Sequence, residues 1–386
     1  MKSTTPTHIL NAEQFNQDYV LDHLIERTEH FSAVQFHPEN RRLFIGEHVG
    51  KLLFNVFYEP STRTSFSFQT AATNLGINVI GTEAAGQFSS AAKGETLEDT
   101  TRMLVGNKPN IIVLRHPEDG AAARMAALSE QTSIINAGDG CNEHPTQALL
   151  DVYTIQKEFG RREDLKIVIG GDIVGGRTAK SLLNLLGIHR SNSFTLVAPE
   201  ENNASEVMKK TLATFAADVE YSYELSPKTL KDADIVYWTR TQTERGSGEQ
   251  DSRFILHRSD LKLMNSQGII MHPLPRVTEL SADIDDDPRA RYFQQAANGL
   301  PVRMALLDWV LKNEKEDYFI VSGLSHDDKI TVPAHLSSDG RTDSEMYDEM
   351  HKKVTKEFEK RIGRKAKPGE LVSFLHWKQG DKGPIE

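Results

Sequence analysis

The sequence of 386 residues contains a single cysteine, Cys141. One cysteine excludes an internal disulfide framework and any zinc site built from several cysteines, and it fits a reducing compartment. No apolar run approaches the ~20 residues that a membrane-spanning helix needs. The first twenty residues carry Glu13 and Asp18 and lack the apolar core of a signal peptide. We therefore expect a cytoplasmic protein without a structural metal ion.

The chain also lacks an excess of basic residues. Lys and Arg number 45 against 55 Asp and Glu, which gives a formal charge of −10. That balance argues against nucleic acid and against an anionic membrane surface as partners. If the substrates are anions, the positive charge that binds them must be concentrated in a cleft.

Apolar runs alternate with helical segments from about residue 51 to residue 272, and they fall into two consecutive sets. Strands that alternate with helices favour right-handed βαβ units and a parallel sheet. The length also suits two domains, at roughly 100–200 residues per domain. The predicted fold is α/β, with two doubly wound parallel-sheet domains and a cleft between them. The expected domains are residues 1–150, closed by helices at about 290–313, and residues 151–289.

Residues 315–386 are more polar and form an extension to which the sequence assigns no role. Thr342-Asp343-Ser344-Glu345 has the pattern of a helix capping box. Apolar side chains then recur every fourth residue, at Met346, Met350, Val354, Phe358 and Ile362. The pattern predicts a C-terminal helical extension. Its apolar stripe is expected to pack on the protein's own surface or, alternatively, to contact another chain.

A candidate anion site follows the apolar run at 51–58. Glu59-Pro60 leads into Ser61-Thr62-Arg63-Thr64, which opens a predicted helix that ends before Gly76. Backbone N–H groups at a helix start attract phosphate, and hydroxyl and guanidinium groups add donors. The residues alone also allow a simpler interpretation, in which Ser61 caps the helix and Arg63 is solvated.

The segment from Phe57 to Thr64 resembles the carbamoyl-phosphate signature of the aspartate/ornithine carbamoyltransferase family. The similarity extends over roughly residues 10–313 and includes four further motifs in the family order. These are Lys93-Gly94-Glu95-Thr96, Arg115-His116-Pro117, His144-Pro145-Thr146-Gln147 and His272-Pro273-Leu274-Pro275-Arg276. The resemblance implies transfer of a carbamoyl group to an amine, with no cofactor expected.

The resemblance also implies roles for the matching residues. Carbamoyl phosphate presents a phosphate leaving group, a carbonyl oxygen that gains negative charge during attack, and an NH₂ group that needs acceptors. Thr64, Arg115 and His144 would polarise the carbonyl oxygen, although His144 alone could simply cap a helix and a lone arginine is usually a surface residue. Phosphate contacts would come from Ser61, Thr62, Arg63 and Thr64, and NH₂ contacts from Gln147 and the backbone of Pro273 and Leu274.

A small, polar loop at 86–94 contains Ser89 and Lys93. On composition it is a flexible surface loop. The resemblance implies instead that it reaches into the active site of a neighbouring subunit, so that the protein is a homotrimer with shared sites. The implied catalytic set is Arg63, Thr64, Lys93, Arg115 and His144.

Two arginine motifs in the second predicted domain resemble those that bind aspartate. Gly175-Gly176-Arg177-Thr178 would hold the α-carboxylate through Arg177, and Thr239-Arg240-Thr241-Gln242 would hold the side-chain carboxylate through Arg240 and Gln242. The ornithine branch typically carries a cysteine in a His-Cys-Leu-Pro loop, whereas this chain has His272-Pro273-Leu274-Pro275. Two arginines would also repel a cationic acceptor, so the predicted acceptor is L-aspartate. The implied aspartate-binding set is Lys93, Arg177, Thr178, Arg240, Gln242 and Leu274.

Several alternatives remain beside this interpretation. A dehydrogenase is disfavoured because Gly170-Gly171-x-x-x-Gly175 fails the G-x-G-x-x-G spacing that pyrophosphate approach requires. No ligand pattern of a metal hydrolase occurs among the histidines. A sister transferase with another amine and a non-catalytic scaffold stay open, as do separate regulatory chains and nucleotide effectors. The chain also departs from the family at Ser65, where arginine is common.

Overall fold

A computed structural model describes residues 7–16, 18–36, 48–83, 85, 94–215, 218–240, 251–312, 317–322, 331–334 and 373–376. Contacts divide the chain into two compact units, residues 1–311 and residues 312–386. The first unit contains two parallel sheets with helices, as the sequence predicts. No helix in the described ranges is long and apolar enough to cross a membrane.

The first sheet has the strand order β2-β1-β3-β4, and all of its pairs are parallel. Its strands are β1 (Leu52–Phe57), β2 (Asn78–Thr82), β3 (Ile111–His116) and β4 (Ser133–Asp139). The helices of this region are α1 (Asp18–Phe36), α2 (Thr62–Asn74), α3 (Leu97–Gly106), α4 (Ala121–Ala127) and α5 (Pro145–Phe159). Helix α1 has no counterpart among the predicted elements.

The second sheet has the order β7-β6-β5-β8-β9 and is also parallel throughout. Its strands are β5 (Lys166–Gly170), β6 (Ser193–Val197), β7 (Asp218–Ser222), β8 (Ile235–Trp238) and β9 (Ile269–Met271). Helix α6 (Arg177–Leu186) connects β5 to β6, and α7 (Glu206–Phe215) connects β6 to β7. The chain returns to the first sheet's region through α8 (Tyr292–Lys312).

Both sheets change direction of strand order at a switch point. In the first sheet β1 lies between β2 and β3, and in the second β5 lies between β6 and β8. Connections leave to opposite sides there, which opens a crevice at the carboxyl ends of the strands where α/β proteins bind ligands. The loops after β1 and β3, and those after β5 and β8, therefore border the two crevices.

Helix α8 is the closing helix that the sequence predicts, as a single helix. Arg303 in its middle donates a hydrogen bond to Ser67 on α2 at 3.0 Å. Near its end, the buried Asp308 pairs with Arg27 on α1 at 2.6 Å and with His48 at 2.8 Å. Removal of either partner would leave a buried charge unpaired, which lowers stability. These contacts therefore hold α8 against the region of the first sheet.

The second unit has a different architecture in the residues that the structure describes. Strands β10 (Asp317–Ser322), β11 (Thr331–Ala334) and β12 (Ser373–His376) form a three-stranded sheet. Its order is β11-β10-β12, and both pairs are antiparallel. The helix predicted from Thr342, with its stripe from Met346 to Ile362, lies outside the described residues.

Candidate active site

A cavity of about 650 Å³ lies where the loops of the two sheets meet. Its walls come from the segments that follow β1, β3, β4, β5, β8 and β9, with a floor from α8. All predicted site residues within the described ranges line it: Ser61, Thr62, Arg63, Thr64, Arg115, His144, Gln147, Arg177, Thr178, Arg240, Pro273 and Leu274. Ser89, Lys93 and Gln242 lie outside the described residues.

The start of α2 forms one end of the cavity. Ser61 is the residue before the helix, but its side chain makes no capping hydrogen bond. The first helical bond runs from Ser65 N to Ser61 O at 2.9 Å. The backbone N–H groups of Thr62, Arg63 and Thr64 thus precede the helical ladder, where a helix binds anions. The structure therefore does not support the simpler interpretation of Ser61 as a side-chain cap.

Two guanidinium groups from different sheets face this cavity. Burial lowers the pKa of Arg63, and the neighbouring positive charge of Arg240 lowers it further. Like charges that approach each other in a partly buried space repel, and an anion between them relieves the repulsion. The electrostatics of the cavity therefore favour an anionic ligand.

Glu59 links the two walls of the cavity and was not among the predicted residues. Its Oε2 lies 3.5 Å from Arg115 Nε and 3.7 Å from Arg177 Nη1. Arg115 also donates to Ala137 O at 3.3 Å. The only sequence signal for Glu59 is its place inside the Phe57–Thr64 signature. One carboxylate thus holds an arginine of each sheet.

His144 immediately precedes α5, yet its side chain makes no capping hydrogen bond. Its backbone N–H donates to Ser181 Oγ at 3.1 Å, and only 4% of the residue is exposed. His144 is one of the residues that line the cavity. The alternative role of a side-chain helix cap is therefore not observed.

Arg177 begins α6 and is buried against the first sheet's loops. Its Nη1 donates to Gly140 O at 2.9 Å. Gly138, at a φ of +114°, lies beneath the guanidinium, and a Cβ at that position would come within 2.9 Å of Arg177 Cζ. A side chain there would meet both strain in the backbone and the guanidinium. A glycine of the first sheet thus makes room for an arginine of the second.

The loop after β9 is held by buried hydrogen bonds of His272. His272 Nε2 lies 2.8 Å from Glu279 Oε1, and His272 Nδ1 accepts from Leu274 N at 2.8 Å. Because Nδ1 accepts that bond, the ring proton is on Nε2, which donates to Glu279. Burial lowers the pKa of His272 and favours the same neutral form. These bonds hold Leu274 at a φ of +53°, a region that non-glycine residues seldom adopt. The backbone at Pro273 and Leu274 is thereby fixed at the cavity wall.

Helix α8 contributes two polar cavity residues that were not predicted, Gln295 and Arg303. Arg303 is only 3% exposed, and burial lowers its pKa to about 10. Gly299 lies one turn earlier, and a Cβ there would collide with Arg303 Nη1. Gln295 and Arg303 are eight positions apart and share one face of a largely apolar helical segment, which was the available signal.

Ser65, the departure from the family pattern, lies outside the lining of the cavity. It is fully buried, and its Oγ accepts from Asn55 Nδ2 and Gln69 Nε2, both at 2.9 Å. The hydroxyl therefore belongs to a neutral hydrogen-bond cluster between α2 and β1. Ser65 therefore helps to anchor α2 on β1 and takes no part in the cavity lining.

Two family models match the chain. "Aspartate/ornithine carbamoyltransferase, carbamoyl-P binding domain" matches residues 7–157, and "Aspartate/ornithine carbamoyltransferase, Asp/Orn binding domain" matches residues 163–310. The chain belongs to the aspartate/ornithine carbamoyltransferase family. The order of the matches follows the order of the two parallel sheets.

Similar proteins and solved structures come from distant organisms. Aspartate carbamoyltransferase 3, chloroplastic, of Pisum sativum is 43% identical over 310 residues, which cover 78% of this chain and 77% of that protein. The aspartate carbamoyltransferase catalytic subunit of Methanococcus maripaludis is 43% identical over 307 residues, 78% of this chain and 96% of that one.

Among solved structures, aspartate transcarbamoylase from Trypanosoma cruzi in complex with N-(phosphonacetyl)-L-aspartic acid is similar with a TM-score of 0.70. It is 34% identical, and the match covers 80% of this chain and 97% of that one. The catalytic subunit of M. jannaschii aspartate transcarbamoylase gives a TM-score of 0.70 at 38% identity, over 80% and 99% of the two chains.

Proposed function

We propose that this chain transfers the carbamoyl group of carbamoyl phosphate to the amino group of L-aspartate. The products are N-carbamoyl-L-aspartate and phosphate, as in the second step of de novo pyrimidine biosynthesis. One observation carries the proposal. A single cavity joins the start of α2, with Arg115 and His144, to Arg177 and Arg240 of the second sheet.

The first wall suits the reacting end of carbamoyl phosphate. Its phosphate binds at Ser61, Thr62, Arg63 and Thr64, where backbone N–H groups, hydroxyls and a guanidinium converge. The aspartate amine attacks the carbonyl carbon, and Thr64, Arg115 and His144 stabilise the charge on the carbonyl oxygen. The C–O bond to phosphate then breaks, phosphate leaves with the electron pair, and the proton lost by the amine passes to the departing phosphate. Gln147, Pro273 and Leu274 hold the carbamoyl NH₂ group.

The second wall suits a dicarboxylate. Arg177, with Thr178 beside it, binds the α-carboxylate of aspartate, and Arg240 with Gln242 binds the side-chain carboxylate. Leu274 and Lys93 complete this set. Cys141 borders a different cavity of about 360 Å³, so the loop at His272-Pro273-Leu274 offers no thiol to a cationic acceptor. Guanidinium–carboxylate pairs are strong and directional, which favours aspartate over ornithine.

Each substrate is assigned to one of the two sheets. We assign carbamoyl-phosphate binding to residues 1–150 with the closing helix and aspartate binding to residues 151–289. Residues 315–386 receive no role in the reaction. The single cysteine supports a cytoplasmic location, although plant relatives are named chloroplastic. Fractionation of cells that express the tagged chain decides the compartment.

A homotrimer with shared sites is part of the proposal. Ser89 and Lys93 of a neighbouring subunit then add donors to the phosphate. Strand β2 lies at the edge of the first sheet, and Ile80 on it is 62% exposed. An unpaired strand edge and an exposed large apolar side chain each favour contact with another chain. Mixing Lys93→Ala with Arg63→Ala subunits should restore activity, since some hybrid sites are intact. Absence of recovery in confirmed trimers contradicts sharing.

The experiment for the activity itself is a colorimetric assay of ureido product. Purified protein and carbamoyl phosphate are incubated with L-aspartate, with ornithine or without an amine. Product with aspartate alone supports the proposal. Product with another amine identifies a sister transferase. No product from the folded trimer indicates a non-catalytic scaffold.

A further inference from the structure

A carboxylate that takes no part in the proposed reaction lies directly behind the cavity. Asp151 is on α5, one turn after Gln147, and is fully buried. Its Oδ1 accepts from Gln147 Nε2 at 2.9 Å and from Gln295 Nε2 at 2.6 Å. Its Oδ2 accepts from the hydroxyl of Tyr237 at 2.8 Å. Donors from α5, α8 and β8 thus converge on one side chain.

These bonds determine which way the Gln147 amide faces. An ionised carboxylate only accepts hydrogen bonds, so the amide must turn its NH₂ group toward Asp151. In the reversed orientation, two acceptor oxygens would face each other with no proton between them. Gln147 lines the cavity, and no donor within the described ranges bonds to its Oε1. The amide oxygen is therefore available to a ligand that donates a hydrogen bond.

Gln295 links Asp151 to the loop after β9 on the other side of the cavity. Because its Nε2 is bound to Asp151, its Oε1 accepts, and it receives the backbone N–H of His272 at 2.9 Å. That bond fixes the first residue of the loop whose Pro273 and Leu274 line the cavity. Asp151 therefore acts on both groups to which the proposed function assigns the carbamoyl NH₂, directly on Gln147 and through Gln295 on the loop.

Burial of Asp151 disfavours its negative charge, whereas its hydrogen bonds and a nearby arginine stabilise that charge. Burial raises its pKa to about 7, while bonds from Gln295, Tyr237 and Gln147 and the positive charge of Arg303 work in the opposite direction. Arg303 is itself buried on α8. At pH values above that pKa the carboxylate is ionised, and only acceptors face the two glutamine NH₂ groups.

We propose that Asp151 is a positioning residue that makes the cavity select NH₂ over a methyl group of the same size. By holding Gln147 with its oxygen toward the ligand and by fixing the 272–275 loop, it presents only acceptors to the carbamoyl nitrogen. A methyl group has no proton to donate, so it leaves those acceptors unsatisfied, and a buried unsatisfied acceptor is costly. The inference rests on the proposed function and specifies how the same site recognises its first substrate.

The test compares two unreactive ligands that differ in this group alone. Phosphonoacetamide has an NH₂ where acetonylphosphonate has a methyl group, and both share the phosphonate and carbonyl. The full-length protein and its Asp151→Asn variant are titrated with each ligand by calorimetry. We expect the unaltered protein to prefer the amide by about tenfold or more. Asparagine can donate as well as accept, so the Gln147 amide can reverse and most of the preference should disappear.

A matched control separates positioning from stability. Asp308→Asn makes the same change at another buried carboxylate, which pairs with Arg27 and His48 and does not line the cavity. It should lower the melting temperature and keep the amide preference. Gln295→Met is a second variant. Methionine has a similar length but cannot bond to Asp151 or to the backbone N–H of His272, and the expected loss of amide preference is smaller than in Asp151→Asn.

The outcomes distinguish the two levels of the proposal. An undiminished amide preference in folded Asp151→Asn overturns the role of Asp151, and if that variant does not fold, an undiminished preference in Gln295→Met does so. A wild-type protein that carbamoylates aspartate but binds both ligands equally also overturns it. A wild-type protein that forms no ureido product refutes the proposed function instead.

Discussion

The two walls of the cavity occupy the same position in their sheets and carry different chemistry. The wall from the first sheet offers the N–H groups and hydroxyls at the start of α2. The wall from the second sheet offers two separate guanidiniums, Arg177 and Arg240. Closely spaced donors suit one phosphate with several oxygens, whereas separated arginines suit two carboxylates. The switch point in each sheet therefore determines where a ligand binds, and the residues of the adjacent loops determine which anion binds there.

The walls are nevertheless physically joined. Glu59 of the first wall contacts Arg115 and Arg177, one from each sheet. Gly138 makes room for Arg177. If each wall binds its own substrate, variants of the first wall should impair the reaction of carbamoyl phosphate, and variants of the second should impair aspartate binding. Variants at Glu59 or Gly138, which belong to the first wall but contact Arg177, should also affect the second wall.

The largest effect is expected from His144→Ala in the first wall. Loss of one donor to a developing oxyanion typically lowers kcat by about 10²–10³. The KM for aspartate should change little, because the arginines of the second wall are intact. Steady-state kinetics with both substrates varied measures the two parameters. The exposed His257→Ala serves as a control, and equal losses in both variants would contradict the assignment.

Arg240→Ala in the second wall should act on aspartate. Hydrogen bonds to charged groups contribute about 1.5–3 kcal/mol, which corresponds to a rise in the KM for aspartate of roughly 10- to 100-fold. Binding of carbamoyl phosphate alone, measured by calorimetry, should stay close to that of the unaltered protein. The exposed Arg258→Ala is the matched control. A comparable loss of carbamoyl-phosphate affinity would show that the walls do not act separately.

Gly138→Ala tests the join between the walls. Gly138 has a φ of +114° and Gly160 a φ of +69°, so alanine is strained at both. A Cβ at Gly160 meets nothing within 4 Å, whereas one at Gly138 meets Arg177. Both variants should lower the melting temperature, but only Gly138→Ala should also raise the KM for aspartate several-fold. An unchanged KM would mean that Arg177 does not need its observed position.

The smallest expected effect concerns pH and the loop at 272–275. Burial lowers the pKa of His272 from 6.5, so the unfolded chain takes up its proton at a higher pH than the folded chain does. The stabilising contribution is therefore complete above about pH 6.5 and is lost as the pH falls toward the folded pKa. Melting temperatures between pH 8 and pH 5 should fall less steeply for His272→Gln. Parallel curves for both proteins would contradict this.

Local patterns in the sequence predicted most of the elements that carry the cavity. Strands such as β5 and β8 are continuous apolar runs, which is what a parallel sheet covered on both faces requires. Helix α2 spans Thr62–Asn74, within one residue of the segment from Ser61 to Leu75 that the sequence predicts. Helix α1 was not predicted, although its buried residues Leu21, Leu24, Thr28 and Phe31 follow a helical spacing. Charged residues between them obscured the stripe.

Residues that act through distant partners could not be predicted in the same way. Asp151 and Gln295 are 144 positions apart and share a hydrogen bond, and no pattern within one helix indicates that pairing. Glu59 lies inside a motif, but its contact with Arg177 depends on how the two sheets approach each other. Arg303 is charged within an apolar helix, which marks it as unusual without naming its partners.

The order of the elements and a cleft that binds anions could be predicted from the sequence alone, and the family resemblance supplied the residues expected to line that cleft. The order and the cleft depend on periodicity, helix starts and charge, which act over a few neighbouring residues. Which arginines face each other, and which way the amide of Gln147 points, could be read only from the folded chain. Such choices depend on burial and on acceptors brought together from remote parts of the chain, because a buried polar group must find its partner wherever the fold places one.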